Sequence, residues 1–120
     1  MWFSLDLVNS EGVPAVIPNS VQPLPDLDCI ASIVGSLKSL GLETTHMVSI
    51  GGWGAEHPTT DFKSAEMYAA IKSWNECVVA RDGIPNGFDG FDWDLEGANT
   101  VSSPNNHLTH EVLELVGQIS

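Results

Sequence analysis

The stretch Asp89-Gly90-Phe91-Asp92-Trp93-Asp94-Leu95-Glu96 alternates apolar and acidic side chains from Phe91 onward. Successive side chains of a β-strand point to opposite faces of the sheet, so the alternation predicts a strand over residues 88–95. One face carries Asp92, Asp94 and Glu96, and the other carries the apolar side chains. We expect helices to cover the apolar face, which leaves the three carboxylates on the opposite side of the sheet.

Three like charges on one strand face point to chemistry rather than to a solvated surface. Neighbouring side chains on one face are about 7 Å apart, so the charge of one carboxylate can hold the next one neutral. Glu96 has the longest side chain of the three and lies at the strand's carboxyl end, where parallel α/β folds place their active sites. We therefore interpret Glu96 as a general acid that Asp92 and Asp94 orient and tune.

Three other interpretations of these acids are open. The first is the polar face of an exposed strand, but such a face usually mixes lysine, threonine and serine with its acids, whereas all three positions here are acidic. An EF-hand calcium loop starting at Asp92 would place Gly97 correctly, but it would have Ser103 where the bidentate glutamate belongs. A magnesium site built from the acids alone is the third. The favoured interpretation requires no metal and no other cofactor.

The sequence on either side of this stretch predicts alternating strands and helices. The predicted elements are a strand over residues 3–10, a helix from Asp26 to Gly41, a strand over residues 45–50, a helix capped by Thr60 or Asp61 and reaching Val78, and a helix over residues 108–119. A long proline-rich loop is expected after Ser10. This order is typical of a parallel sheet with helices packed outside it, either doubly wound or part of a barrel, in one domain spanning residues 1–120.

The charge and hydropathy of the chain exclude several classes of partner. The formal net charge is −12, from 16 acidic and 4 basic residues. Binding through phosphates needs clustered cations, so we expect neither nucleic acid nor an anionic membrane as a partner. A neutral sugar polymer, or one with some amines, is compatible with this charge. No run approaches the ~18 apolar residues of a membrane span, and no secretory signal is visible at the first residues.

The cysteines, histidines and remaining tryptophans predict no further site. Cys29 and Cys77 lack zinc or redox spacing, so two thiols or one disulfide fit equally well. None of the histidines has a partner at metal spacing, and we expect them to be solvated; they are His46, His57, His107 and His110. Three tryptophans fall in apolar patterns and are expected to pack against helices or the sheet; they are Trp2, Trp74 and Trp93.

The stretch over residues 89–96 resembles the DGxDxDxE signature of family 18 glycoside hydrolases, the chitinase-like class, and fills every specified position. Upstream, Ser49-Ile50-Gly51-Gly52-Trp53 resembles the SxGG strand end that precedes that signature in the same family. The two motifs occur in the family's order with one predicted helix between them. The resemblance implies a (β/α)₈ TIM barrel, of which this chain covers about three of the eight strands, roughly the second to the fourth.

The resemblance also implies a substrate-assisted, retaining mechanism. The glutamate at the position of Glu96 protonates the glycosidic oxygen, while the 2-acetamido oxygen of the substrate attacks the anomeric carbon. The aspartate matching Asp94 holds the acetamido N–H, and the one matching Asp92 pairs with it. The aspartate matching Asp89 supports the strand. The implied substrate is chitin or another glycan containing N-acetylglucosamine, and a secreted location is expected from the family.

The second motif supplies the expected substrate contacts. Ser49, Gly51 and Gly52 would leave space for a sugar beside the acids, although a tight turn explains the glycines equally well. Trp53 is a candidate to stack on a pyranose ring, and packing in the core is nearly as good an interpretation of it.

The length sets a limit on the activity expected of this chain alone. A complete barrel of this type needs about 250 residues. Later family residues, a tyrosine and a tryptophan at the sugar, have no counterpart here, and two open sheet edges predict self-association. We therefore expect a partial catalytic domain with little or no activity by itself. The alternative is a chitinase-like carbohydrate-binding protein without turnover. The presence of both Glu96 and Asp94 favours the enzyme.

Overall fold

Strands and helices alternate along most of the chain, which the computed structural model describes over residues 1–19 and 24–120. The strands are β1 (Ser4–Ser10), β2 (Val13–Pro18), β3 (Met47–Gly51) and β4 (Gly90–Asp94). The α-helices are α1 (Leu27–Ser39), α2 (Ser64–Trp74) and α3 (His110–Ile119). A π-helical turn over Asn75–Val79 extends α2, and a 3₁₀ turn spans Pro104–Asn106.

The four strands form one sheet in the order β2-β1-β3-β4. β1 and β4 both pair in parallel with β3, whereas β2 pairs antiparallel with β1. The prediction of an α/β fold with a mainly parallel sheet is therefore confirmed.

The strand β2 lies where the sequence analysis expected only a long proline-rich loop, and that expectation is wrong for Val13–Pro18. The turn before it places Glu11 and Gly12 at positive φ (54° and 87°), the conformation that joins two antiparallel strands in a tight hairpin. β2 is an edge strand, where the missing N–H of a proline is tolerated. The rest of the expected loop includes residues 20–23, which lie outside the described residues.

The apolar face of the sheet forms the core together with the helices. One cluster joins the α1 side chains to the amino-terminal part of β1 and β3; its buried members are Phe3, Leu5, Leu27, Ile30, Ala31, Val34, Val48, Val79, Ile84 and Phe88. A second cluster joins α2 and α3 to residues further along the same two strands, through Leu7, Ile50, Met67, Ile71 and Leu115. The three helices therefore all pack on the same face of the sheet.

The helix starts follow the capping rules in one case and depart from the prediction in another. The carboxylate of Asp26 accepts hydrogen bonds from two backbone N–H groups, those of Asp28 and Cys29, and so caps the start of α1. α2 begins at Ser64, not after Thr60 or Asp61. Asp61 is engaged elsewhere, because its carboxylate accepts a 2.8 Å hydrogen bond from Asn9 Nδ2, which lowers the pKa of Asp61. Glu66 instead accepts the N–H of Lys63.

The expectation of a solvated histidine is wrong for His46, which is 9% exposed. Its Nδ1 accepts a 3.2 Å hydrogen bond from Trp2 Nε1, and the two rings stack. Its Nε2 contacts Thr44 Oγ1 at 2.7 Å.

Cys29 and Cys77 are both exposed free thiols. Among the described residues, no helix has the length and apolar character needed to cross a membrane.

Replacement of Leu5 by alanine tests the core. Leu5 is 1% exposed in β1, and we expect Leu5→Ala to lower the free energy of unfolding by about 2–5 kcal/mol, from lost burial and the cavity left behind. Leu113→Ala is the matched control, since Leu113 in α3 is 50% exposed and should change stability by less than about 0.5 kcal/mol. Denaturant unfolding measures both, and equal losses would contradict the described packing.

Candidate active site at the carboxyl edge of the sheet

The face of the sheet opposite the helices is polar along its three parallel strands. In the observed register Ser4 of β1 pairs with Ser49 of β3, and Ser49 pairs with Asp92 of β4. One step further along, Gly51 pairs with Asp94. Paired residues in adjacent strands share a face, so this face carries a row of hydroxyls and carboxylates that ends at the pair Gly51–Asp94.

In β4 the apolar and the acidic side chains lie on opposite faces of the sheet, as their alternation in the sequence predicts. Phe91 and Trp93 pack against the helix-side clusters, and Trp93 Nε1 donates a 3.0 Å hydrogen bond to Ser120 Oγ. On the other face Asp92 is exposed and Asp94 is half-buried. β4 ends at Asp94, so exposed Glu96 follows the strand rather than lying within it. The strand is one residue shorter at this end than predicted.

Glu96 and Asp94 form an interacting pair of carboxyl groups. The negative charge of Asp94 raises the pKa of Glu96 above its ordinary value, with smaller contributions from partial desolvation and from a hydrogen bond between the two side chains. The raised pKa favours the protonated form of Glu96, which is the form a general acid needs.

The two glycines at the end of β3 allow the backbones of β3 and β4 to approach closely. Gly51 has φ = 105°, and a Cβ built on it would lie 2.3 Å from the carbonyl oxygen of Asp94. Gly52 has φ = 116°, and its N–H donates a 2.7 Å hydrogen bond to that same oxygen. A Cβ on Gly52 would lie 3.6 Å from Ser4 Oγ and 4.0 Å from Asp94 Oδ2, which are ordinary contact distances. Gly51 is therefore required by the backbone, and Gly52 leaves space beside the carboxylate.

The serine of the same motif is held inside the sheet. Ser49 is buried, and its Oγ lies 2.7 Å from Ser4 Oγ on the neighbouring strand. Its register position beside Asp92 keeps a small polar side chain next to the acid row.

Trp53 lies outside the core. Its side chain is 54% exposed in the loop that follows Gly52, so the packing interpretation does not apply to it. The loop is anchored at both sides of this tryptophan, because Gly52 N–H binds Asp94 O and Gly54 N–H binds Gly97 O at 2.9 Å. An exposed indole thus stands at the same edge as Glu96.

Asp89 lies at the opposite end of β4 from this group. Its Oδ2 accepts a 2.7 Å hydrogen bond from the N–H of His46, and its own N–H donates to His46 O at 2.8 Å. This reciprocal pair joins the starts of β3 and β4. Its position gives Asp89 a role in pairing the two strands, away from the carboxyl edge.

Sequence reasoning missed two further polar residues of this face. Asp6 is buried in β1, and Asn19, just after β2, donates Nδ2–H bonds to Asp6 Oδ1 at 3.1 Å and to Gly51 O at 2.9 Å. The signal for Asp6 was present, since Ser4 and Asp6 alternate with apolar residues in β1 just as the acids do in β4. Asn19 gave no such signal, because its position depends on the hairpin.

Comparison of the chain with known proteins identifies no relative. No family model matches the chain, and neither the curated proteins nor the solved structures include a match to it. Within the described ranges, no three histidine, cysteine or acidic side chains converge in a group able to hold a metal ion.

Alanine at Gly51 tests the close approach of β3 and β4. We expect Gly51→Ala to destabilise the fold by about 3 kcal/mol or more, because the new Cβ overlaps a backbone oxygen as well as occupying a left-handed conformation. Gly54→Ala is the matched control: Gly54 has φ = 77° but open space around it, so only the conformational cost of about 1–2 kcal/mol applies. Thermal or denaturant unfolding of both variants measures the difference, and equal losses would refute the overlap.

Removal of the Asp94 charge tests the electrostatic pairing. We expect Asp94→Asn to lower the pKa of Glu96 towards that of an ordinary glutamate, because the charge of Asp94 is the largest cause of its upward shift. The ¹³C carboxyl signal of Glu96, followed by NMR against pH, reports this directly. Asp92→Asn is the control, since Asp92 does not contribute to the shift. An equal change in the pKa of Glu96 in both variants would exclude a specific interaction between Asp94 and Glu96.

Proposed function

We propose that this chain carries the catalytic strand of a family 18 glycoside hydrolase that acts on β-1,4-linked N-acetylglucosamine polymers or oligomers. The observation that carries the proposal is the placement of Asp94 and Glu96 beside Gly51 and Gly52 at one carboxyl edge of a parallel sheet. Active sites of parallel α/β folds lie at this edge. The two motifs that suggested the family are separated in sequence and adjacent in space.

The arrangement of helices supports a barrel segment over a doubly wound sheet. A doubly wound sheet has helices on both faces, whereas a barrel has them only outside. Here α1, α2 and α3 pack on the same face through the two apolar clusters. The polar face with Asp92 and Asp94 then corresponds to the inside of a barrel. We propose that β1, β3 and β4 are three of its eight strands.

In the proposed reaction Glu96 donates its proton to the glycosidic oxygen as the bond to the anomeric carbon breaks. The 2-acetamido oxygen of the same sugar forms the new bond to that carbon, so no enzyme nucleophile is required. Asp94 holds the acetamido N–H and stabilises the positive charge of the intermediate, while Asp92 pairs with Asp94. Glu96 then takes a proton from the water that opens the intermediate. The raised pKa of Glu96 is consistent with its first role.

The isolated sheet lacks the enclosure that this chemistry needs. Glu96 and Asp92 are exposed, and β4 is an edge strand. Electrostatic stabilisation of a transition state is strongest where water is excluded. We therefore expect the chain alone to turn substrate over slowly at best. The additional strands of a barrel would provide the enclosure.

A non-catalytic carbohydrate-binding protein is the second candidate. The exposure of Trp53 favours it, because an exposed indole at the edge of the acidic face offers a flat apolar surface to a sugar ring without any proton transfer. Binding without turnover by the folded chain would identify this function.

Binding of an N-acetyl-chitooligosaccharide tests the proposed site. We expect ¹⁵N-detected NMR titration to show shifts confined to residues 51–54 and 92–97, and Trp53→Ala to weaken binding several-fold through loss of stacking, worth about 1 kcal/mol. Tyr68→Ala is the matched control, because Tyr68 is similarly exposed (49%) but lies on α2. An unchanged affinity in Trp53→Ala, or shifts elsewhere on the surface, would contradict this placement of the sugar.

A further inference from the structure

The loop over residues 52–57 contacts the main chain at the end of β4 and just beyond it, where the acidic stretch ends. Three successive contacts are made: Gly52 N–H to Asp94 O at 2.7 Å, Gly54 N–H to Gly97 O at 2.9 Å, and His57 Nε2 to Glu96 O at 3.0 Å. The carbonyls on both sides of the Glu96 side chain are therefore held by the loop. Only His57 makes its contact through a side chain.

The chemistry of the His57 contact is defined by its partner. A carbonyl oxygen only accepts hydrogen bonds, so the proton must lie on Nε2 of the half-buried ring. The loop is also fixed from its other side, because Asn105 Nδ2 donates to Ala55 O at 2.5 Å. His57 thus extends from an anchored loop rather than from a free one.

The strand itself does little to fix Glu96. The β3–β4 ladder ends at the pair Gly51–Asp94, and Glu96 lies two residues beyond it. β4 also has no second neighbour among the described strands. The Glu96 backbone is therefore held by contacts outside the ladder, namely those of the loop and the 2.9 Å hydrogen bond that Ala98 N–H donates to Asn106 Oδ1.

We propose that His57 is a positioning residue for Glu96: by donating Nε2–H to the Glu96 carbonyl, it holds the Glu96 carboxyl group beside Asp94. The contact with Asp94 is what favours the protonated form of Glu96. The inference rests on the proposed function only in the use that it gives to this positioning, which is proton donation by Glu96. The positioning itself is a property of the unliganded chain.

The test is an NMR titration of the Glu96 carboxyl carbon in the wild-type chain, His57→Ala and His57→Gln. Without the hydrogen bond Glu96 moves away from Asp94, so in His57→Ala we expect its titration midpoint to shift down towards that of an ordinary glutamate. The glutamine amide can still donate to the carbonyl, so His57→Gln should retain the wild-type midpoint. The ionisable groups on the two connected segments are Glu56 and His57 in the loop and Asp92, Asp94 and Glu96 on and after β4.

The sign of the shift separates positioning from a simple charge effect. If His57 acted only as a cation, its removal would raise the Glu96 midpoint equally in both variants, and the proposal would be wrong. Unchanged midpoints in both variants would also overturn it. If His57→Ala does not fold, the ¹⁵N shifts of the wild-type ring decide instead, because the proposal requires the proton on Nε2 in the neutral form. The titration involves no sugar, so its outcome is separate from that of the proposed function.

Discussion

Parallel pairing of β3 with β4 brings the two sequence motifs of the candidate site together. The five paired positions, from Met47–Gly90 to Gly51–Asp94, bring the ends of both motifs to the same edge of the sheet. At Gly51 the two backbones approach so closely that a side chain would overlap the Asp94 carbonyl. A slip of one residue would turn the acids towards the helices, because side-chain direction alternates along a strand. The apolar packing of Phe91 and Trp93 opposes such a slip.

The polar face of the sheet concentrates negative charge without local compensation. No lysine or arginine occurs in β1, β3 or β4. Two of the four cations are paired elsewhere, Lys72 with Glu76 and Arg81 with Asp28. Neither Lys72 nor Arg81 therefore offsets the charge of Asp94, which raises the pKa of Glu96.

Local sequence pattern was sufficient for the elements whose signals are short-range. The period-two alternation of β4 and the helical period of α1 both depend on residues within one element, and both were predicted. The prediction failed where a distant contact decided the outcome. β2 forms because β1 offers it an edge, α2 starts late because Asp61 binds Asn9, and His46 is buried by Trp2.

The candidate site was likewise predictable only where its residues carry a local sequence pattern. The acids and the glycines carry their own spacing, so their shared edge followed from the strand order. Asn19 and His57 carry no pattern of their own, because each is brought to the site by a turn or loop whose path depends on the folded sheet. Their contacts to Gly51 and Glu96 became visible only in three dimensions.

Hydrolysis of a fluorogenic chitooligosaccharide by the purified chain tests the central claim that Glu96 is the general acid. The account predicts slow release of the fluorophore that falls about 100-fold or more, to background, in Glu96→Gln. Glu56→Gln, which alters an exposed glutamate in the neighbouring loop, should leave the rate unchanged. Equal release by the wild-type chain and Glu96→Gln would contradict the assignment. Absence of release from a folded chain that binds the sugar would identify a carbohydrate-binding protein instead of an enzyme.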